Sequence, residues 1–240
     1  MEALLYTLPD YVKELIQTFQ SHGYEIYIVG GSVRNLFLGK PIKDWDFTTS
    51  ATPEQMLLMF PDGFYDNTFG TVGIPQEIEG VKHVFEVTTF RTESGYSDNR
   101  HPENVTWGKT IEEDLSRRDF TMNAIAVGVK NEKITMVDPY DGQKAIQQKV
   151  IRTVGDPRER FKEDGLRLLR AIRFASQLTF TIDPETLQEL TNDSYLLQNI
   201  SQERIRDELM KILASDYPYE GIMLLRNTNL LQYILPELLE

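Results

Sequence analysis

Apolar positions along the first half of the chain switch between a helical and a strand period. Pro9 and Asp10 open a segment in which Tyr11, Val12, Leu15, Ile16 and Phe19 recur at helical spacing, and Gly23 ends it. A buried strand over 24–29 follows. Gly30 and Gly31 then turn the chain into a short helix, and a second strand carries Asp44, Trp45, Asp46 and Phe47. Thr52-Pro53-Glu54 starts another helix, whose Met56, Leu57, Met59 and Phe60 read as core. Between Gly70 and Arg91 the period drops to two, predicting a hairpin of strands 71–78 and 81–90 around Glu79-Gly80. A second hairpin, 127–129 with 134–137, turns at Asn131-Glu132. Beyond Val150 the spacing is helical to the end, with helices expected at 157–177, 184–193, 201–214 and 217–226; Pro184 falls in a first turn and Ser201 at an N-cap. The boundary near 140–155 is a change of period without a low-complexity linker.

The densest chemistry lies between Tyr27 and Phe47. Side chains alternate along a strand, so Asp44 and Asp46 are expected on one face and Trp45 and Phe47 on the other. Two carboxylates on one face repel, and a divalent cation removes that repulsion; Mg²⁺ binds through one or two carboxylates plus substrate phosphates. Gly30 and Gly31 allow close backbone approach, and the N–H groups opening the next helix favour an anion. Taken singly, the acid pair also reads as solvated or capping, and the glycines as a plain turn. The combination of strand, Gly-Gly, helix with Arg34 and acidic strand points to nucleotidyl transfer.

Three further stretches leave two readings each. Glu86 is either a third carboxylate near the metal or a solvated strand residue. Arg117 and Arg118, beside Asp119, are either a surface pair of little energetic consequence or a clamp for a triphosphate. In the helix over 157–177, Phe161, Leu168, Leu169, Ile172 and Ala175 share an apolar arc, with Asp164, Arg167, Arg170 and Arg173 outside it at spacing three. Without further context these four read as a solvated, salt-bridged face. Residues 92–110 are polar, glycine-containing and without periodicity, a pattern of functional or disordered loops.

Composition narrows the classes. The 240 residues suffice for one large or two small domains. No cysteine is present, which excludes disulfides and thiolate metal sites. The N-terminus has no basic region followed by an apolar run, and no later segment has the length of a membrane span, so a soluble, cytoplasmic protein without a membrane partner is expected. A formal charge of −12 argues against a general nucleic-acid coat. Yet residues 151–175 hold six Arg and one Lys against four acids, a local +3 suited to phosphate contact.

With these stretches read, the strand–GG–helix–DxD arrangement resembles the signature of the DNA polymerase beta nucleotidyltransferase superfamily. Five ordered motifs between about residues 25 and 177 resemble the bacterial class II tRNA nucleotidyltransferases, the CCA-adding enzymes, and their relatives the bacterial poly(A) polymerases. They are GGSVRN with DWD, EVTTFRTESGYSDNRHPENV, EEDLSRRDFTMNAIA, DPYDGQKAIQQKVIRTVGDP and RFKEDGLRLLRAIRFA. The resemblance implies an α/β head, a small mixed sheet with flanking helices, at 1–150, followed by an all-α neck and the start of a body at 151–240. It makes Asp44 and Asp46 the catalytic ligands of Mg²⁺ and puts Gly31, Arg34 and Arg118 at the nucleotide phosphates. It assigns Asp164 and Arg167 to the incoming base, orienting each other, with Arg170 and Arg173 as further nucleotide contacts.

The activity implied is template-independent addition of C and A to the 3′ end of tRNA from CTP and ATP. Poly(A) polymerase, A-adding enzyme and non-catalytic RNA- or nucleotide-binding module are the alternatives. Asn35 and Ala145 stand where the family commonly has Asp. The family's body and tail, which hold the tRNA acceptor stem, are expected to be missing here, in keeping with the acidic balance. Oligomeric state has no signal in the sequence.

Overall fold

The computed structural model describes residues 8–65, 70–78, 80–94, 104–130 and 133–239. The chain divides into two compact units. One comprises Met1–Thr92, Val105–Arg118 and Met122–Gln143; the other comprises Glu93–Asn104, Asp119–Thr121 and Lys144–Glu240.

The strands up to residue 137 are β1 (Ile26–Val29), β2 (Asp46–Thr49), β3 (Phe64–Tyr65), β4 (Thr71–Ile78), β5 (Val81–Thr89), β6 (Arg91–Ser94), β7 (Asn104–Trp107), β8 (Ala126–Lys130) and β9 (Lys133–Val137). All but β6 and β7 join in a seven-stranded mixed sheet, the frame of the first unit, in the order β3-β4-β5-β2-β1-β8-β9. The β2–β5 pair is parallel, while β1 pairs antiparallel with both β2 and β8. Helix α1 (Asp10–Ser21) buries Val12, Leu15, Ile16 and Phe19, the residues its period selects. Tyr11 from the same helix stacks on Phe85 of β5 at 5.8 Å. Helix α2 (Gly30–Leu38) begins on Gly30 at φ +65° and stops on Gly39 at φ +63°, both left-handed conformations that glycine adopts without strain. Helix α3 (Pro53–Met59) opens with a reciprocal capping box between Thr52 and Gln55.

Two expectations change here. Strand β2 starts at Asp46, so Asp44 precedes it in a bend; burial still alternates, with Trp45 and Phe47 inside and Asp46 half-buried. The stretch 92–110 is partly regular. Strand β6 pairs with β7, and Thr110 caps the short helix α4 (Ile111–Ser116). The middle of that stretch, 95–103, and the turn at 131–132 lie outside the described residues.

The second unit is mainly helical. After α5 (Gly142–Gln148), whose first N–H groups are capped by the carboxylate of Asp138, come α6 (Pro157–Glu163), α7 (Leu166–Leu178), α8 (Pro184–Asn192), α9 (Gln202–Leu213) and α10 (Pro218–Asn227). A two-residue parallel ladder, β10 (Val150–Ile151) with β11 (Thr181–Ile182), is added to the helices. The single helix expected over 157–177 is two helices. Asp164 takes an extended conformation at φ −145°, ψ 105°, and Gly165 follows; a Cβ there would meet Leu196 at 3.2 Å. Helix α8 begins at Pro184 and α9 directly after Ser201, whose side chain makes no capping bond. Among the described residues no helix is long and apolar enough to cross a membrane.

Helices α7, α9 and α10 converge on Gly221. A Cβ on Gly221 would lie 2.6 Å from Cγ2 of the fully buried Ile212 and 3.3 Å from Cβ of Ser176. Ile212 is β-branched and stiff at χ1, so it has little room to yield. Gly221→Ala should therefore lose stability even though alanine is the better helix former by about 1 kcal/mol. Overpacking costs about 1–3 kcal/mol and a 2.6 Å approach belongs in the upper part of that range, so the net loss should be up to about 2 kcal/mol, visible as a thermal midpoint a few degrees lower. A midpoint equal to or above that of the parent would show that the three helices can separate freely at this point.

Candidate active site

The acidic segment is pinned to helix α2 by one hydroxyl. Ser32 Oγ donates to the Asp44 carbonyl at 3.0 Å and accepts the Asp46 N–H at 3.0 Å, which fixes the backbone on both sides of Trp45. Ser32 is 2 % exposed, so neither bond competes with bulk water. Nothing in the sequence pattern singled it out. Across the sheet, the parallel register sets Asp46 opposite Glu86. Burial pushes the Asp46 carboxyl up to about 6; Glu86 and Asp44 add to the rise, while Arg118 and Arg34 oppose it. Asp46 is thus a carboxylate that the fold holds at a cost.

Around it lie the glycine turn and two arginines. A Cβ on Gly30 would sit 3.4 Å from both Arg118 Nη1 and Asp46 Oδ2, and one on Gly31 would sit 3.5 Å from Arg34 Nη2. Arg34 donates to Asn123 Oδ1 at 2.9 Å, and its Nε and Nη2 donate to Asn35 Oδ1 at 3.3 and 3.1 Å. Asn35 also donates to the Pro41 carbonyl at 3.3 Å, which an aspartate could not do when ionised. Ala145, the second departure from the family pattern, is 3 % exposed and packs as an apolar side chain.

Arg117 and Arg118 share one acidic partner. Both turn back to Asp114 on α4, Arg117 through Nη2 at 2.7 Å to Oδ1 and Arg118 through Nη2 at 2.8 Å to Oδ2. Asp114 has no exposed surface. Its burial favours the neutral form, but the two guanidiniums and their hydrogen bonds outweigh this and hold the carboxyl at about 2. The i,i+3 and i,i+4 spacing from Asp114 is present in the sequence beside the more conspicuous adjacency to Asp119.

Asp46, Glu86, Thr88, Arg91, Arg117 and Arg118 line a cavity of about 250 Å³. A larger cavity of about 360 Å³ lies by Tyr24, Tyr27 and Gly128; among its described lining residues Glu25 alone is charged, so none of them is a cation for a phosphate. Tyr27 beside it is pushed up to about 12 by burial and by Glu25. Among the described residues no group of three or more His, Cys, Asp or Glu forms a complete protein cage for a metal. The donor set nonetheless suits a hard cation of the Mg²⁺ type, which takes one or two carboxylates and completes its shell with water and phosphate. Asp46 and Asp44 would supply two such oxygens, and the like charge that adds to the rise of the Asp46 carboxyl is what such a cation would relieve.

In the second unit every sequence-selected charge on α6 and α7 has a partner. Arg167 Nη1 donates to Glu163 Oε2 at 2.5 Å and to the Arg160 carbonyl at 3.0 Å. The Asp164 carboxylate is held by Arg204 of α9 at 2.9 Å, while the Asp164 carbonyl accepts the Arg167 N–H at 3.0 Å. Arg170 donates through Nε and Nη2 to Asp119 Oδ2, and Arg173 donates to Glu208 Oε2 at 2.6 Å and Gln177 Oε1 at 2.9 Å. Both guanidiniums flank the Phe174 ring, at 5.5 and 4.1 Å from its centroid. Burial opposes ionisation of Glu208, but Arg173 and Lys211 hold its carboxyl below the ordinary range. The face is therefore salt-bridged and only partly solvated, and most of its partners lie far away in sequence.

Asp114→Asn tests the arginine anchor. A depressed carboxyl contributes stability above its unfolded value near 3.8 and loses it as pH falls through that value toward 2. The variant should be about 3 kcal/mol less stable than the parent in urea at pH 7, and the gap should close by about pH 2. Equal midpoints at pH 7 would show that the buried pairing contributes nothing net.

Known proteins share both the sequence pattern and the fold. Residues 26–152 match the family described as "Poly A polymerase head domain", and 179–240 match "Probable RNA and SrmB- binding site of polymerase A". The CCA-adding enzyme of Geobacillus thermodenitrificans is 46% identical over 221 residues, 92% of this chain and 53% of that one. Among solved structures, the Bacillus stearothermophilus CCA-adding enzyme in complex with CTP superposes with a TM-score of 0.82 at 42% identity, covering 93% of this chain and 53% of that one. The Thermotoga maritima CCA-adding enzyme complexed with tRNA gives 0.79 at 25% identity, covering 98% and 55%. The chain thus spans about half the length of the relatives it matches. Nucleotidyltransferases of this kind typically use divalent metals. On its sequence and its fold alike, the chain belongs to the Poly A polymerase head-domain family.

Proposed function

We propose that this chain carries the nucleotidyl-transfer and nucleotide-selecting parts of a CCA-adding enzyme, which extends the 3′ end of tRNA with C and A from CTP and ATP without a template. The observation that carries this reading is the meeting of Asp46 and Arg118 at the Gly30 turn, with Glu86 lining the same cavity of about 250 Å³, acidic and basic groups around one opening. Asp44 and Asp46 would hold Mg²⁺, with Glu86 as a third oxygen donor. When bound, the metal lowers the pKa of the attacking 3′-hydroxyl and stabilises the leaving pyrophosphate. The chain's own residues do the rest by positioning and charge. Arg34 and Arg118 bind the triphosphate, held ready by Asn35, Asn123 and Asp114, and the bare backbone at Gly30 and Gly31 lets phosphate oxygens come close. The 3′-oxygen forms a bond to the α-phosphorus as the bond to the bridging oxygen breaks, releasing pyrophosphate.

Base choice falls to Asp164 and Arg167. Cytosine and adenine each present an amine donor beside a ring-nitrogen acceptor; uracil and guanine present a carbonyl beside an N–H. A carboxylate only accepts and a guanidinium only donates, so this pair matches C or A and mismatches U or G. Arg170 and Arg173 each commit two N–H groups to protein partners, and the remaining donors on each guanidinium serve as further nucleotide contacts. The whole reading is tested by incubating the protein with tRNA lacking its terminal CCA, with CTP and ATP separately and together. Addition of C, C and then A supports it. Adenosine runs indicate a poly(A) polymerase, a single A on tRNA ending in CC an A-adding enzyme, and no extension a binding module.

Two variants sharpen the test. Asp44→Ala and Asp46→Asn should each abolish transfer. Because the Asp46 carboxylate is destabilised by burial and like charge, Asp46→Asn should unfold no earlier than the parent in chelator at pH 8. Retained transfer in either variant would refute the metal-ligand assignment. For base choice, Asp164→Ala should raise UTP and GTP incorporation relative to CTP and ATP by about tenfold, one lost buried hydrogen bond being about 1–3 kcal/mol. A variant with parental selectivity would leave Asp164 as an ion-pair partner only.

A further inference from the structure

The two base-reading candidates are supported from different helices. Asp164 stands in the non-helical joint between α6 and α7, where its carbonyl accepts the Arg167 N–H at 3.0 Å. Its Oδ1 accepts the Leu166 N–H at 3.1 Å and Arg204 Nη1 at 3.3 Å, and its Oδ2 accepts Arg204 Nη2 at 2.9 Å. Arg204 belongs to α9 and is no neighbour in sequence. Arg167, by contrast, is fastened to α6 through Glu163 and the Arg160 carbonyl.

The geometry points to Arg204 as a positioning residue for base selection, one whose guanidinium fork fixes the Asp164 carboxylate in the orientation that accepts the amine of cytosine or adenine. The inference rests on Asp164 reading the base. An ionised carboxylate offers about four lone-pair sites. The three bonds to Leu166 and Arg204 fill all but about one of them, leaving an acceptor on Oδ2 for a single amine N–H. A planar fork against a carboxylate fixes direction as well as distance. Without it, Asp164 keeps only the Leu166 N–H and is free to swing toward Arg167, which would occupy the acceptor and the donor with each other.

The test is binding of CTP, ATP, UTP and GTP by the 240-residue chain, for the parent, Arg204→Gln, Arg204→Lys, Asp164→Ala and the Asp164→Ala/Arg204→Gln double variant. The parent should prefer CTP and ATP. Arg204→Gln should lose about tenfold of that preference, approaching Asp164→Ala, while binding of inorganic pyrophosphate stays unchanged. Arg204→Lys, which keeps the charge without the fork, should recover part of it, and the double variant should be no less selective than Asp164→Ala alone. Parental selectivity in Arg204→Gln alongside its loss in Asp164→Ala would overturn the inference and leave the base reading intact. So would additive losses in the double variant. Should Arg204→Gln fail to fold, undiminished selectivity in Arg204→Lys overturns the inference equally. If Asp164→Ala itself discriminates like the parent, the base reading falls and the role of Arg204 falls with it.

Discussion

The first unit is arranged around a single electrostatic constraint: carboxylates must be gathered where one of them is half out of water. Asp46 faces Glu86 across the parallel β2–β5 pair and feels Asp44 from the bend before it, and burial makes the ionised form costlier still. The fold answers with cations that are themselves immobilised. Arg118 and Asp46 both lie against Gly30, where a Cβ would sit 3.4 Å from each. Arg118 is in turn fastened to Asp114, an acid with no exposed surface that stays ionised because two guanidiniums surround it. Acid, arginine and buried acid thus form a chain of alternating charge, and its first two members, Asp46 and Arg118, line the cavity. Ser32 completes the arrangement from the other side by fixing the backbone of the acidic segment to α2.

Much of this was legible in the sequence because it follows from local spacing. The 3.6 period of α1 selected its buried residues. The alternation over Trp45, Asp46 and Phe47 placed both aromatic side chains inside, although β2 begins too late to include Asp44. Gly30 and Gly31 announced a close approach, and their surroundings are charged side chains. The missed features are of two kinds. Some had a local signal that was outweighed: Asp114 stands three and four residues before its arginines, and Asp164-Gly165 is a turn-forming dipeptide inside a helical pattern. Others had none. No rule of spacing connects Asp164 to Arg204, Arg170 to Asp119 or Arg173 to Glu208, because tertiary packing alone brings them together.

That distinction changes the meaning of the basic stretch 151–175. Its local +3 suggested a surface for phosphates. In the second unit Arg152 pairs with Asp183, Arg170 with Asp119 and Arg173 with Glu208, so acids from elsewhere in the chain take up the excess. Arg173 and Glu208 are each largely withdrawn from water, where breaking one partner is far costlier than at a surface. The arginines hold the helix in place first, and only their uncommitted N–H groups remain for a ligand.

The same pairing determines what can be exchanged between relatives by recombination. Helix α7 looks like a portable cassette, contiguous and bounded by Asp164-Gly165 on one side and Thr179 on the other. Its electrostatic complement is scattered over Asp119, Glu163 and Glu208. A chimera that swaps the helix alone inherits charges without their counterions. The heritable module is therefore discontinuous, and crossovers that respect it must carry α9 and the residues around Asp119 together with the helix.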